Sequence, residues 1–84
     1  MKVAVKVRLK KSILDPQGKT VHNALLHLGF HDIKDVRIGK LIELTIDDSK
    51  SRDEVLQMVE EASHSLLANP VIEDFEIEVE EEDQ

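Results

Sequence analysis

From Lys2 to Lys10 the chain alternates: Val3, Val5, Val7 and Leu9 fall on one parity, and Lys2, Ala4, Lys6, Arg8 and Lys10 on the other. That period of two predicts a strand with one buried face. Asp15-Pro16 marks a helix start, because an Asp side chain accepts unpaired amides and proline's fixed φ suits the first turn. Val21, Ala24, Leu25 and Leu28 then recur at helical spacing and predict the apolar face of that helix. Gly29 is placed to end it in a left-handed cap, with Phe30 folding back on the last turn.

Val36 and Ile38 share a parity, as do Ile42, Leu44 and Ile46, which predicts two further strands joined by a hairpin. A two-residue turn at Gly39-Lys40 would point the second apolar set outward, so parity favours an odd loop, Gly39 to Leu41, or a bulge. Gly39 is the natural residue for the positive φ such a loop needs. Ser51-Arg52-Asp53-Glu54 is a capping box, and Val55, Met58, Val59, Ala62 and Leu66 extend the stripe of a second helix. Asn69-Pro70 ends that helix. A last strand follows, with Phe75, Ile77 and Val79 opposite Asp74, Glu76, Glu78 and Glu80.

The order strand, helix, strand, strand, helix, strand predicts an α+β single domain over residues 1–84. Its expected form is a β-α-β-β-α-β ferredoxin-like antiparallel sheet with two helices on one face, and an acidic frayed tail over 80–84. First and last strands would then be antiparallel neighbours. Lys2, Lys6, Arg8 and Lys10 would lie beside Asp74, Glu76, Glu78 and Glu80 in opposite-charge cross-strand pairs.

A formal charge of −7 argues against a nucleic-acid groove, which depends on clustered Lys and Arg. Phe30 and Phe75 are the only aromatic residues, too few for base stacking. The absence of cysteine excludes disulfides and thiolate chemistry and suits a reducing cytoplasm. Charges interrupt Met1-Lys2-Val3-Ala4-Val5-Lys6 before any signal-peptide core or membrane span forms.

Catalytic motifs are missing. His22 and His27 are five apart, whereas helical zinc pairs are three or four apart, so His22, His27, His31 and His64 read as surface histidines. Asp47-Asp48 and the run Glu80 to Asp83 read as helix-dipole complement and solvated end. No serine sits in a nucleophile elbow, and Gly18 and Gly39 belong to no phosphate loop. Arg37, Gly39 and Lys40 at the expected hairpin tip suit either an anion or partner contact, or simply a polar turn. Gly18 in the first turn of a helix costs about 1 kcal/mol relative to Ala. It marks either an irregular entry turn or a surface that a partner backbone approaches closely.

Leu14-Asp15-Pro16-Gln17-Gly18, Asp35-Val36-Arg37-Ile38-Gly39-Lys40 and Leu66-Leu67-Ala68-Asn69-Pro70-Val71-Ile72-Glu73-Asp74 together resemble the PurS family, the small subunit of phosphoribosylformylglycinamidine synthase. The resemblance implies a non-catalytic role in the fourth step of de novo purine synthesis. PurS dimers bridge a glutaminase subunit, which releases ammonia, and a large synthetase subunit, which uses ATP and magnesium. It implies no cofactor on this chain, a homodimer or higher homo-oligomer, and no nucleic-acid or membrane partner. Carried over by position, Asp15, Pro16, Gln17, Gly18, Arg37, Gly39, Lys40, Asn69 and Pro70 are fold or interface candidates, none of them catalytic. A small-metabolite-sensing regulatory domain is the alternative expectation for a fold of this class.

Overall fold

A computed structural model of the chain describes residues 1–80. Strand β1 spans Lys2–Leu9, helix α1 Pro16–His27, strand β2 Lys40–Thr45, helix α2 Arg52–Ala62 and strand β3 Glu73–Glu80. A π-helical turn, Ser63–Leu67, prolongs α2. The sheet runs β2-β1-β3, and β1 is antiparallel to both neighbours.

The pairing follows the alternation of β1. Val3, Val5 and Val7 oppose Leu44, Ile42 and Lys40 on β2, and Val79, Ile77 and Phe75 on β3, so these residues share one face. The three valines are buried there with Val55 and Val59 of α2 and with Ala68. Each such valine contributes roughly 1.5–2 kcal/mol by leaving water. On the opposite face the charge pairing expected from the sequence is present for Lys6 and Arg8. Lys6 Nζ lies 2.8 Å from a Glu78 oxygen and Arg8 Nη1 3.3 Å from one of Glu76. These pairs run diagonally across the register, and the Lys6 contact lowers the carboxyl pKa of Glu78 and raises that of Lys6.

Local signals held at the helix ends. The Asp15 side chain caps α1 by accepting from Gly18 N, and Gly29 closes it with φ at +97°. Phe30 N donates to Leu25 O at 3.0 Å, the long-range bond of that closure. At α2 the capping box is rearranged: Ser51 Oγ accepts from Glu54 N, and its hydroxyl donates to Glu54 Oε1 at 3.1 Å.

Four expectations are corrected. Residues 36–38 form no strand, and the sheet has three strands among the described residues. With no strand there, no Gly39–Leu41 hairpin exists, and β2 begins at Lys40 against β1. Only α2 lies on the sheet: no α1 residue joins the core, and Val21 and Leu28 are 40% and 73% exposed. The second-helix stripe also shifts, leaving Leu66 83% exposed and burying Ser63 and Ala68 instead. The cause is the π turn, where Ala68 N reaches back five residues to Ser63 O at 2.9 Å. One extra residue per turn keeps Val55, Val59, Ser63 and Leu67, four apart, along one line. Glu80 ends β3, and the remainder of the expected frayed tail lies outside the described residues.

That line carries an anomaly, because the Ser63 hydroxyl is buried without a hydrogen-bond partner. An unpaired buried hydroxyl loses its water without compensation. Ser63→Ala is therefore expected to stabilise the chain by up to about 1 kcal/mol, read as a higher urea midpoint with an unchanged slope.

Candidate functional site

Nearly all the residues singled out in the sequence converge on one end of the sheet, where β1 finishes and β2 and β3 begin. Asp15 is the centre of this end. It is only 6% exposed, and its two carboxylate oxygens face different segments. Oδ1 accepts from Gly18 N at 2.9 Å, and Oδ2 accepts from Ile38 N at 2.7 Å. One side chain thus caps α1 and holds a backbone amide 23 residues away. The Gly18 and Ile38 amides, in that order, draw the Asp15 carboxyl below its ordinary pKa against the opposing effect of burial, with Arg37 adding to the depression.

Gly18 belongs to the same clamp. A Cβ there would stand 2.3 Å from Val36 O and 2.7 Å from Asp15 Oδ2. The close backbone that Gly18 admits is thus the chain's own 36–38 segment. Gly39 is constrained in a similar way, since its Cβ would lie 2.5 Å from Val7 O. The expected positive φ is not the reason for Gly39; among the described residues Gly29 alone has one.

Arg37 fastens the turn between β1 and α1. Its Nη2 lies 2.9 Å from Lys10 O, 3.2 Å from Ile13 O and 3.4 Å from Leu9 O. With two hydrogens on that nitrogen, the two shorter bonds are the effective ones. Lys40 Nζ lies 3.7 Å from Glu73 Oε2. Arg37 and Lys40 thus each have a partner within the chain.

Asn69 and Pro70 turn the chain into β3. Asn69 Oδ1 accepts from Val71 N at 3.1 Å, and Asn69 O accepts from Glu73 N at 2.7 Å. Glu73 Oε1 in turn accepts from Asn69 N at 2.7 Å. Glu73 therefore connects the Asn69-Pro70 turn to Lys40, a role the sequence reading missed. Its signal was parity: Glu73 sits in the inward set with Phe75, Ile77 and Val79, and its side chain is 13% exposed.

Asp15, Pro16, Gln17, Gly39 and Lys40 line one cleft of about 300 Å³ with Glu73. Arg37, Gly39 and Lys40 line a second of about 350 Å³ with Lys6, Arg8 and Leu41. The rims are ion pairs and backbone clamps, each exposed pair contributing roughly 0–1 kcal/mol. The second cleft is lined by four cationic side chains, Lys6, Arg8, Arg37 and Lys40, of which Lys6, Arg8 and Lys40 are each paired with a β3 glutamate. Among the described residues no group of three or more His, Asp or Glu is placed to hold a metal ion, and no helix is long and apolar enough to cross a membrane. His22 Nε2 donates to Ile33 O at 2.7 Å, His27 Nδ1 to Asn23 O at 2.8 Å, and His64 stacks edge-on against Phe75 with centroids 5.0 Å apart.

The fold and this end of it define a small α+β interaction domain. Residues 2–81 match the model of PurS, phosphoribosylformylglycinamidine (FGAM) synthase. Over 80 residues the chain is 52% identical to the phosphoribosylformylglycinamidine synthase subunit PurS of Bacillus subtilis, covering 95% of this chain and 93% of that one. The crystal structure of Methanocaldococcus jannaschii PurS superposes with a TM-score of 0.85 at 41% identity, covering 98% of both chains. A chain of the PurLQS structure from Thermotoga maritima superposes at 0.83 with 30% identity, covering 92% of this chain and 93% of that one. The chain belongs to the PurS family.

Two substitutions test the clamp. Gly18→Ala should raise helix propensity by about 1 kcal/mol. The collision with Val36 O reverses the sign, giving a net destabilisation of about 1–3 kcal/mol in urea unfolding. For Asp15 the folded-state pKa lies below the unfolded value, so its contribution is complete above the ordinary carboxylate pKa of about 4 and is lost as pH falls through the lowered one. Asp15→Asn is expected to be less stable at neutral pH and to show a shallower loss of stability below about pH 4, measured by denaturant titrations across pH.

Proposed function

We propose that this chain is the small, non-catalytic subunit of phosphoribosylformylglycinamidine synthase. In this reading it joins a glutaminase subunit to a large synthetase subunit, so that ammonia released by the first is used by the second in the fourth step of de novo purine synthesis. The single observation that carries the proposal is the likeness to a chain of the PurLQS structure over 92% of this chain. The site geometry supports it: the charged side chains resolved there hold backbone or one another, which leaves contour and contact area as what this end offers. The same likeness favours assembly over metabolite sensing.

On this reading ATP and magnesium belong to the synthetase partner and this chain binds neither. It works in the cytoplasm, associated with further copies of itself. An assembly subunit contributes by raising the effective concentration of its partners for one another.

Reconstitution tests the role. With the glutaminase and synthetase present, adding this chain is expected to switch on glutamine-dependent product formation, while ammonia-dependent synthesis proceeds without it. Equal glutamine-driven turnover in its absence would overturn the proposal.

A further inference from the structure

The open face of the sheet separates its charges across β1. Lys6 and Arg8 stand on the central strand, and the carboxylates that pair with them, Glu78 and Glu76, both belong to β3. On the other side of β1 the register sets Leu41 of β2 opposite Lys6. No acidic residue falls between Asp35 and Glu43, and Arg37 and Lys40 do. The β2 side of the central strand is therefore cationic in a chain whose formal charge is −7.

Gly39 leaves room on that side. One step beyond the Val7–Lys40 pair, the antiparallel register brings Gly39 beside Arg8. A Cβ on Gly39 would stand 3.4 Å from Arg8 Cγ and 2.5 Å from Val7 O. With no side chain there, a cleft of about 350 Å³ opens, lined by Lys6, Arg8, Arg37 and Lys40 together with Ile38 and Leu41. Small-molecule sites span roughly 300–1,000 Å³, so the cleft is large enough for a compact ligand. Its lining includes no carboxylate.

The donors around it are not used up. Arg37 commits Nη2 to Lys10 O and Ile13 O. A guanidinium also carries N–H groups on Nε and on its other Nη, and those of Arg37 have no acceptor among the described residues. Arg8 makes a single contact with Glu76, through Nη1, and both side chains of that pair are largely exposed, as is Lys6 with Glu78 to a lesser degree. Exposed pairs of this kind are weak. A phosphate dianion, with three oxygens for two guanidinium groups and an ammonium, competes with them; a single carboxylate has fewer oxygens and half the charge. Ile38 and Leu41, 37% and 59% exposed, add an apolar wall that suits an organic body attached to the phosphate.

We propose that the cleft between Arg8 and Arg37 binds the phosphate of a small phosphate monoester, such as a sugar phosphate, whose organic body lies against Ile38 and Leu41. The carbonyls that fasten Arg37 then have a second effect, because they hold its guanidinium in place for the ligand. The site is contained in one chain and does not depend on the assembly reading.

Ribose 5-phosphate is the probe, titrated into the isolated chain at about 0.15 M salt and followed through the backbone amide resonances. The amides of Ile38, Gly39, Lys40 and Leu41 are expected to shift together and to saturate with a midpoint below about 1 mM, while unphosphorylated ribose moves none of them. Arg8→Gln, and Leu41→Glu, which sets a carboxylate opposite Lys6, are each expected to weaken binding about tenfold or more with the circular dichroism spectrum unchanged. Lys2→Gln, at the far end of β1, removes the same charge as Arg8→Gln and is expected to leave the midpoint within about twofold. Inorganic phosphate is expected to shift the same amides with a higher midpoint; an equal or lower one would mean an adventitious ion only and would overturn the proposal. A response that does not saturate, an equal response to ribose, or an equal loss in Lys2→Gln would overturn it too.

Discussion

Val3, Val5 and Val7 lie under α2 and between two antiparallel partners, and the sheet takes its position from them. A central strand buried on one face leaves its backbone groups no water to turn to, so both edges of β1 must be paired along its length. That constraint fixes the parity of β2 and β3 together. The same parity places Lys6 and Arg8 on the open face, where Glu78 and Glu76 of β3 meet them. The valine row therefore specifies the core and, through register, the surface charge pattern.

The end of the sheet is organised by a different device. Asp15 joins a helix start to the segment before β2, Arg37 fastens the turn after β1, and Glu73 joins the start of β3 to Lys40. Asp15 and Arg37 tie together pieces of backbone that are distant in sequence, while Glu73 holds the nearby Asn69 amide and the Lys40 side chain. Where a small core cannot reach, hydrogen bonds from charged groups supply the rigidity, at roughly 1.5–3 kcal/mol for a well-made bond to a charged group. Glycines 18 and 39 let the backbones come close enough for those bonds to form.

This economy suits an assembly role. A carboxylate committed to two amides and a guanidinium hydrogen-bonded to carbonyls are engaged in holding backbone in place. They hold a defined contour at the end where Asp15, Gly18, Arg37, Gly39 and Lys40 gather. The rest of the molecule is extended, with an exposed apolar side on α1 and a sheet flank at Ile42 and Leu44 that is only partly buried.

Much of this was legible before any coordinates. The alternation in β1 and β3, the Asp15 and Ser51 caps, the Gly29 closure and the stop at Asn69-Pro70 are local, each involving groups within a few residues of one another. Val36 and Ile38 carried the same period-two signal as a strand but lie in a clamp, because β2 takes the edge of β1 and leaves them no ladder. Val21, Ala24 and Leu28 read as a core face but stay exposed, because no α1 residue reaches the buried cluster around the β1 valines. The need for Gly18 and Gly39, the inward role of Glu73 and the π turn that brings Ser63 inward were set by approaches between segments far apart along the chain. Sequence by itself determined where elements begin, end and turn their apolar sides, because caps and periodicity are satisfied locally. Only tertiary structure decided which elements meet, because pairing depends on which distant backbone satisfies the open edges of β1.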